Sequence, residues 1–261
     1  MATIIKKVLG ALIVSSLLFL PLSCKNEAKN SCCEGKTGEV KESFLRTEVI
    51  SAEVRATLSI DDIIEKFKQG NERFVNSELT ARDHSKLVTQ AVEGQHPLAV
   101  VLSCIDSRVP VEDIFDKSLG DIFVVRVAGN FANVDILGSM EYSCKVAGAK
   151  LLVVMGHDHC GAVKGAIDNV ELGNLTALLK NLKPAVEMST KSEGQRNSKN
   201  EDFVQEVAMN NVSHTIEFIR KNSPILKEME DKGEIKMVGA YYDLETGKVA
   251  FFEEIIILPN N

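Results

Sequence analysis

Between residues 60 and 75 the apolar side chains Ile60, Ile63, Ile64, Phe67 and Phe74 recur at helical spacing, with Asp61 and Asp62 in the first turn. That spacing predicts a helix covering a core, and the acids complement its N-terminal dipole. Residues 97–103, 122–127 and 151–155 are short apolar runs bounded by turn or charged residues. They read as buried strands. Helical patterns occupy 136–147, 174–182 and 203–219, and a fourth strand-like run covers 235–241. The last run, 248–257, follows a five-residue connector, Asp243-Leu244-Glu245-Thr246-Gly247, short enough for a hairpin and hence an antiparallel strand. The expected fold is α/β, with four parallel strands plus an antiparallel C-terminal strand flanked by helices. Right-handed crossovers then gather the C-terminal strand ends on one edge, where ligands bind in open α/β sheets.

Composition agrees. Trp is absent and aromatics make up 5% of the 261 residues, while aliphatic runs are plentiful, as buried parallel strands require. The formal charge is −7 and no block of Lys and Arg stands out, so nothing marks a nucleic-acid footprint.

The N-terminus follows another pattern. Lys6 and Lys7 precede an apolar run over 8–22, too short for a stable membrane span and suited to a secretory signal. The run ends Leu20-Pro21-Leu22-Ser23-Cys24, which resembles a bacterial lipobox although Pro21 and Leu22 depart from its usual residues. Residues 1–23 are therefore expected to be a removed signal peptide and Cys24 to carry a lipid. Residues 24–56 are polar and read as a flexible tether, in which Cys32 and Cys33 are given no catalytic role. The folded catalytic domain is expected over 57–261, in an exported lipoprotein on the periplasmic or cell-surface side of a membrane. Within it, 183–201 is rich in Lys, Ser, Glu and Asn and reads as a mobile loop.

Two clusters carry chemistry. Cys104-Ile105-Asp106-Ser107-Arg108 follows the first strand, and Gly156-His157-Asp158-His159-Cys160-Gly161 follows the third. Zinc takes thiolate and imidazole, and a catalytic site keeps three protein ligands and an open fourth position. Cys104, His157 and Cys160 supply that set. A lone cysteine after a strand is more often a core residue, but a second Cys and a His-x-x-Cys pair make that reading weak here. Spacing alone does not choose between His157 and His159; a His-x-x-Cys pair reaches around one metal more easily, which favours His157. Asp106 and Arg108 lie two and four residues beyond Cys104, so in an extended exit all three face one side. Arg108 would keep Asp106 ionised, and Asp106 could orient a water on the metal. Two thiolates offset the charge of the metal, so such a water should ionise above the value of ~7 found with three histidines.

Together these segments resemble the β-class carbonic anhydrases, whose hallmarks are Cys-x-Asp-x-Arg and Gly-His-x-x-Cys-Gly. The resemblance runs from about Leu58 to Glu254 and includes Gly70-Asn71-Glu72-Arg73-Phe74-Val75, Arg126-Val127-Ala128-Gly129-Asn130 and Glu141-Tyr142. It implies one zinc ion per subunit on Cys104, His157 and Cys160, and an Asp106–Arg108 dyad. The implied reaction is reversible hydration of carbon dioxide to bicarbonate and a proton, by attack of zinc-bound hydroxide. It also implies substrate contacts from Gln95, Phe123, Tyr142 and the backbone amide of Gly161, although Phe123 and Tyr142 taken alone read as ordinary strand and helix residues. The family's pocket is built partly from a neighbouring subunit, which implies a homodimer or higher even assembly. Members that switch off by binding the dyad aspartate to zinc carry a tryptophan three residues before the first cysteine; here that residue is Val101, so an open centre is expected, with Arg126 aligned to an arginine of that switch. Cys144 reads as a core residue. A carbon disulfide or carbonyl sulfide hydrolase on the same scaffold is the nearest rival, and a non-enzymatic zinc-binding lipoprotein would leave Asp106 and Arg108 unexplained.

Overall fold

The computed structural model describes residues 45–252. The signal segment, Cys24, Cys32, Cys33 and residues 253–257 of the expected last strand lie outside the described residues. In chain order the elements are β1 (Leu45–Arg46), α1 (Ala52–Thr57), α2 (Ile60–Val75), β2 (Ala81–Arg82), α3 (His84–Ala91), β3 (Ala99–Ser103), α4 (Val111–Ile114), β4 (Ile122–Arg126) and α5 (Val134–Glu141). There follow β5 (Leu151–His157), α6 (Gly161–Ile167), α7 (Gly173–Leu179), α8 (Lys183–Met188), α9 (Glu201–Asn222), α10 (Pro224–Asp231), β6 (Lys236–Tyr242) and β7 (Val249–Phe251).

Five strands form one sheet in the order β4-β3-β5-β6-β7, with β4, β3, β5 and β6 parallel and β7 antiparallel to β6. The expected topology is met. β3 and β5 sit in the middle and are buried throughout, because both of their faces carry core. Val100, Leu102, Leu152 and Val154 point to one side, against Met140 of α5 and Val212, Ile216 and Ile219 of α9. Val101, Val153 and Met155 point to the other, against Ile63 and Phe67 of α2 and Phe115. The period of two along the strand divides the two cores.

Helix α2 begins at Ser59, whose hydroxyl accepts from the Asp62 amide while Asp62 accepts from the Ser59 amide, a reciprocal cap that satisfies two N-terminal donors. Its Gly70 rests on the backbone after α4: a Cβ there would lie 2.0 Å from the Phe115 carbonyl oxygen. Only glycine allows that approach.

Three segments differ from the sequence expectation. Residues 45–56, read as part of a tether, are packed on the domain. β1 pairs with β2, Arg46 makes two 2.6 Å bonds to Asp121, and Gln90 bonds the backbone of Thr47 and Val49. Polar composition misled because these residues are held largely by ion pairs and backbone bonds, with Ile50 packed against the core beside α2. The expected mobile loop 183–201 instead opens with α8, and its remainder is held by α9: the Glu206 carboxylate accepts from the Lys191 and Ser192 amides and the Ser192 hydroxyl. The helix expected over 136–147 is α-helical only to Glu141, and Tyr142–Val146 is a π turn closed by the Ala147 amide on the Tyr142 carbonyl.

Candidate metal centre

Cys104 follows the last residue of β3 and His157 is the last residue of β5, and these strands are direct neighbours. Fifty-three positions of sequence thus collapse to one sheet edge. Beyond His157 the chain turns through Asp158 and His159, which adopts the left-handed conformation (φ +50°), so that Cys160 comes back as the residue capping α6. Cys104, His157 and Cys160 are all buried, and one ligand atom from each lies within 4.8 Å of the others. The two sulfurs are 4.0 Å apart. Tetrahedral zinc with Zn–S of about 2.3 Å places two sulfurs roughly 3.8 Å apart, close to this spacing.

The imidazole is set for a metal. Nδ1 of His157 lies 2.7 Å from the Asp158 carbonyl oxygen, which only accepts, so Nδ1 carries the proton. Nε2 then presents a lone pair, and it is buried without a hydrogen-bond partner. His159, the alternative, turns outward, where its ring meets Glu201 at 3.0 Å, and Glu201 also binds Lys164.

Without a metal the two thiols share a proton. The hydrogen bond from Cys160 is the main cause lowering the Cys104 thiol, helped against burial by His157 and the Gly129 amide; Cys160 is pushed upward by the same bond and by burial. A divalent cation held by Cys104, His157 and Cys160 would take the place of that proton, with both cysteines as thiolates. The Gly129 amide donates to Cys104 Sγ at 3.3 Å, and Gly129 is placed by α9, where Asn211 donates to its carbonyl at 2.8 Å. Gly129 has φ +80°, and a Cβ there would strike Leu182 at 2.6 Å.

Asp106 and Arg108 form the expected pair. Arg108 donates from Nε and its backbone amide to Oδ1 (2.9 and 3.0 Å) and from a terminal nitrogen to Oδ2 (2.8 Å). The side-chain bond to Arg108 is the largest influence bringing the Asp106 carboxyl down to about 2. Arg126 donates to the carbonyls of Cys104 (2.9 Å) and Asp106 (2.6 Å), so it braces the loop that carries both.

The other expected residues fall elsewhere. Gly161 opens α6 directly after Cys160, with free space where a Cβ would stand. Gln95 is exposed between α3 and β3. Phe123 and Tyr142 meet edge-on at 6.1 Å and line a groove of about 770 Å³ along the edge strand β4, which none of the three candidate ligands borders. Within one chain the structure does not bring Gln95, Phe123 or Tyr142 to the metal group. Cys144 packs in the core, with its thiol pushed up to about 12 by burial. Sequence reasoning included Gly129 in a resembling segment without giving it a role, and missed Asn211; the available signal was a polar Asn on the apolar stripe of Val207, Ala208 and Val212.

The comparisons with known proteins agree with this geometry. The family model described as carbonic anhydrase matches residues 99–249. Carbonic anhydrase 2 of Mycobacterium tuberculosis is 34% identical over 197 residues, covering 72% of this chain and 90% of that protein. The carbonic anhydrase of Mycolicibacterium smegmatis is 33% identical over 188 residues, covering 70% and 88%. Among solved structures, the β-carbonic anhydrase CcaA superposes with a TM-score of 0.58 at 26% identity, covering 74% of this chain and 94% of that one. CafA of Aspergillus fumigatus gives 0.58 at 25%, covering 74% and 90%. With the sheet order, the buried Cys-His-Cys group and the Asp-Arg pair all in place, the chain belongs to the β-class carbonic anhydrases.

Proposed function

We propose that one zinc ion per subunit is held by Cys104, His157 and Cys160, and that the chain uses it to hydrate carbon dioxide reversibly to bicarbonate and a proton. The observation that carries this reading is the buried, unpartnered Nε2 of His157 facing two sulfurs 4.0 Å apart. Bound there, zinc supplies Lewis acidity that makes water a nucleophile near neutral pH. The protein's own residues do the rest. Arg108 keeps Asp106 anionic and fixes its plane; Oδ1 already accepts two bonds from Arg108, while Oδ2 accepts one and retains a lone pair that can accept from a water and so aim its attacking electrons. With both oxygens on Arg108, Asp106 is withheld from the metal group, which supports a centre open to water. The amide of Gly161, the first residue of α6 after Cys160, is the proposed donor to a substrate oxygen.

The working unit is proposed to be a homodimer or a higher even assembly. β4 is an edge strand, and Val134, Tyr142 and Val146 are exposed beside it. Pairing of copies along this edge would complete a carbon dioxide pocket from Gln95, Phe123 and Tyr142, which stand apart from the chain's own metal group. Export and lipid attachment at Cys24 are proposed on the lipobox-like motif, and residues 25–44 would then serve as tether; radiolabelled palmitate incorporation that survives Cys24→Ala would overturn that assignment.

The test of the reaction is stopped-flow hydration of carbon dioxide by the zinc-loaded chain, beside Asp106→Ala and a chelator-treated sample. Fast turnover that both controls abolish is expected. A zinc-replete dimer with no hydration would refute the reading.

A further inference from the structure

On the sheet face away from α9, the turn after α4 buries Asp116 and Lys117 side by side. Asp116 is fully engaged by Arg73 Nε (2.6 Å), Arg82 (2.5 Å) and the Thr80 hydroxyl (2.6 Å). Asp121 takes two bonds from Arg46. Arg82 also lies 3.8 Å from Asp113, so the three arginines already match the three acids. Lys117 is left over. Its side chain is buried, and its Nζ donates to the Lys66 carbonyl (2.8 Å) and lies 4.7 Å from the Phe67 ring centroid. Among the described residues no carboxylate stands within 4.0 Å of it.

Burying an ammonium with no carboxylate in contact is costly, so this lysine reaches its free amine, a nucleophile that the metal-centre chemistry does not use, at a lower pH than an exposed one. Lys117 borders a cavity of about 330 Å³ together with Lys66, Arg73, Asp116 and Asp121. The terminal nitrogens of Arg73 and the amine of Lys66 make no hydrogen bond among the described residues. The cavity therefore joins one nucleophilic amine to two cations with donors to spare.

We propose that Lys117 is a second carbon dioxide site, at which the uncharged amine forms a carbamate whose carboxylate faces Arg73 and Lys66. The nitrogen lone pair attacks the carbon of carbon dioxide, an N–C bond forms, and one C–O π pair moves onto oxygen. A proton leaves nitrogen for solvent, giving a singly charged carbamate, with no oxidant or co-reactant required. The remaining N–H keeps the bond to the Lys66 carbonyl. Burial, opposed by Asp121 and Asp116 and assisted by Arg73, brings the Lys117 amine down to about 8. At that pH about half of it is neutral, against under about 1% of an ordinary lysine near 10.4. The reaction uses dissolved carbon dioxide and does not pass through the metal centre, so hydration activity and carbamate formation succeed or fail separately.

The test is carbon-13 NMR of the holoenzyme equilibrated with labelled carbon dioxide and bicarbonate near pH 8, beside Lys117→Arg. A carbamate resonance present in wild type and absent from the variant is expected. Trapping the wild-type carbamate as its ethyl ester with a trialkyloxonium salt, followed by peptide mapping, locates it without relying on the variant's folding. Occupancy at Lys117 should exceed that at exposed lysines such as Lys232 by at least about tenfold, given the neutral fractions above. Identical carbamate spectra for wild type and a folded Lys117→Arg, or a trapped label no higher at Lys117 than at Lys232, would overturn the proposal.

Discussion

Replacing Asn211 with alanine tests how the fold tunes the metal group from a distance. Asn211 is completely buried on α9, and its amide nitrogen reaches the Gly129 carbonyl at 2.8 Å, while the Gly129 amide donates to Cys104 Sγ at 3.3 Å. Truncation leaves the Gly129 carbonyl buried with one partner fewer, at a cost of about 1–3 kcal/mol, and opens a small cavity beside it. The better helix propensity of alanine returns only about 0.5 kcal/mol, so a net loss near 2 kcal/mol is expected. The peptide unit bearing Gly129 then loses its anchor, and the thiolate loses a well-placed donor. Outer-shell changes of this kind lower metal affinity by about 10–100-fold. With the donor loosened rather than deleted, the lower end applies. Two assays separate the effects: urea unfolding of the metal-free protein, and zinc competition against a chromophoric chelator. Lower stability with unchanged zinc affinity would refute the claim that Asn211 positions the Cys104 donor. Unchanged stability would refute the value assigned to the buried bond itself.

Four further outcomes follow from the same geometry. Burial works to raise the Asp116 carboxyl, but the bonds from Thr80 and Arg73 outweigh it and hold it below the usual range. Its contribution to stability is therefore whole above the unfolded value of about 3.9 and is lost as pH falls through the lower folded value. Denaturation midpoints of wild type should drop over that window more than those of Asp116→Asn, and parallel curves would refute the account. Gly70→Ala sets a Cβ 2.0 Å from the Phe115 carbonyl oxygen and should cost about 3 kcal/mol or more, read by thermal unfolding. In the zinc-stripped protein a mild thiol oxidant should join Cys104 to Cys160, since the sulfurs need close by only about 2 Å, whereas the loaded protein should resist; mass spectrometry of non-reduced peptides decides. Hydration should rise from about pH 6.5 to about pH 9 because two thiolates offset the metal charge, and a flat profile would count against that electrostatic argument.

The sheet could be read from the sequence because its central strands are apolar over their whole length, and the site could be read because its side chains follow two of those strands directly. Cys104, Asp106, Arg108, His157 and Cys160 come from two short segments, so local spacing already places them on one edge. What the sequence hid is held by polar contacts across long separations. Arg46 reaches Asp121 and Gln90 reaches Thr47, so a segment without apolar periodicity still folds onto the domain. Asn211 contacts Gly129 across 82 positions, a pairing for which no local spacing exists. Arg126 was legible as a functional residue by resemblance, but its bonds to the Cys104 and Asp106 carbonyls give it a bracing role that spacing did not suggest. Gln95, Phe123 and Tyr142 belong to a surface of the chain, and a single sequence carries no mark of what covers it.

The separation of Cys104 and Cys160 along the chain has a mechanical meaning. They stand 56 positions apart, and the segment between them contains β4, α5 and the π turn that present Phe123 and Tyr142. An ion bridging the two sulfurs is a cross-link that closes this loop. By the chain-entropy estimate for a link of that length it withholds about 4 kcal/mol of freedom from the unfolded chain. Metal loss would therefore lower the stability of the whole domain by returning that freedom to the unfolded chain, even where no contact of the flank carrying the aromatic pair is altered.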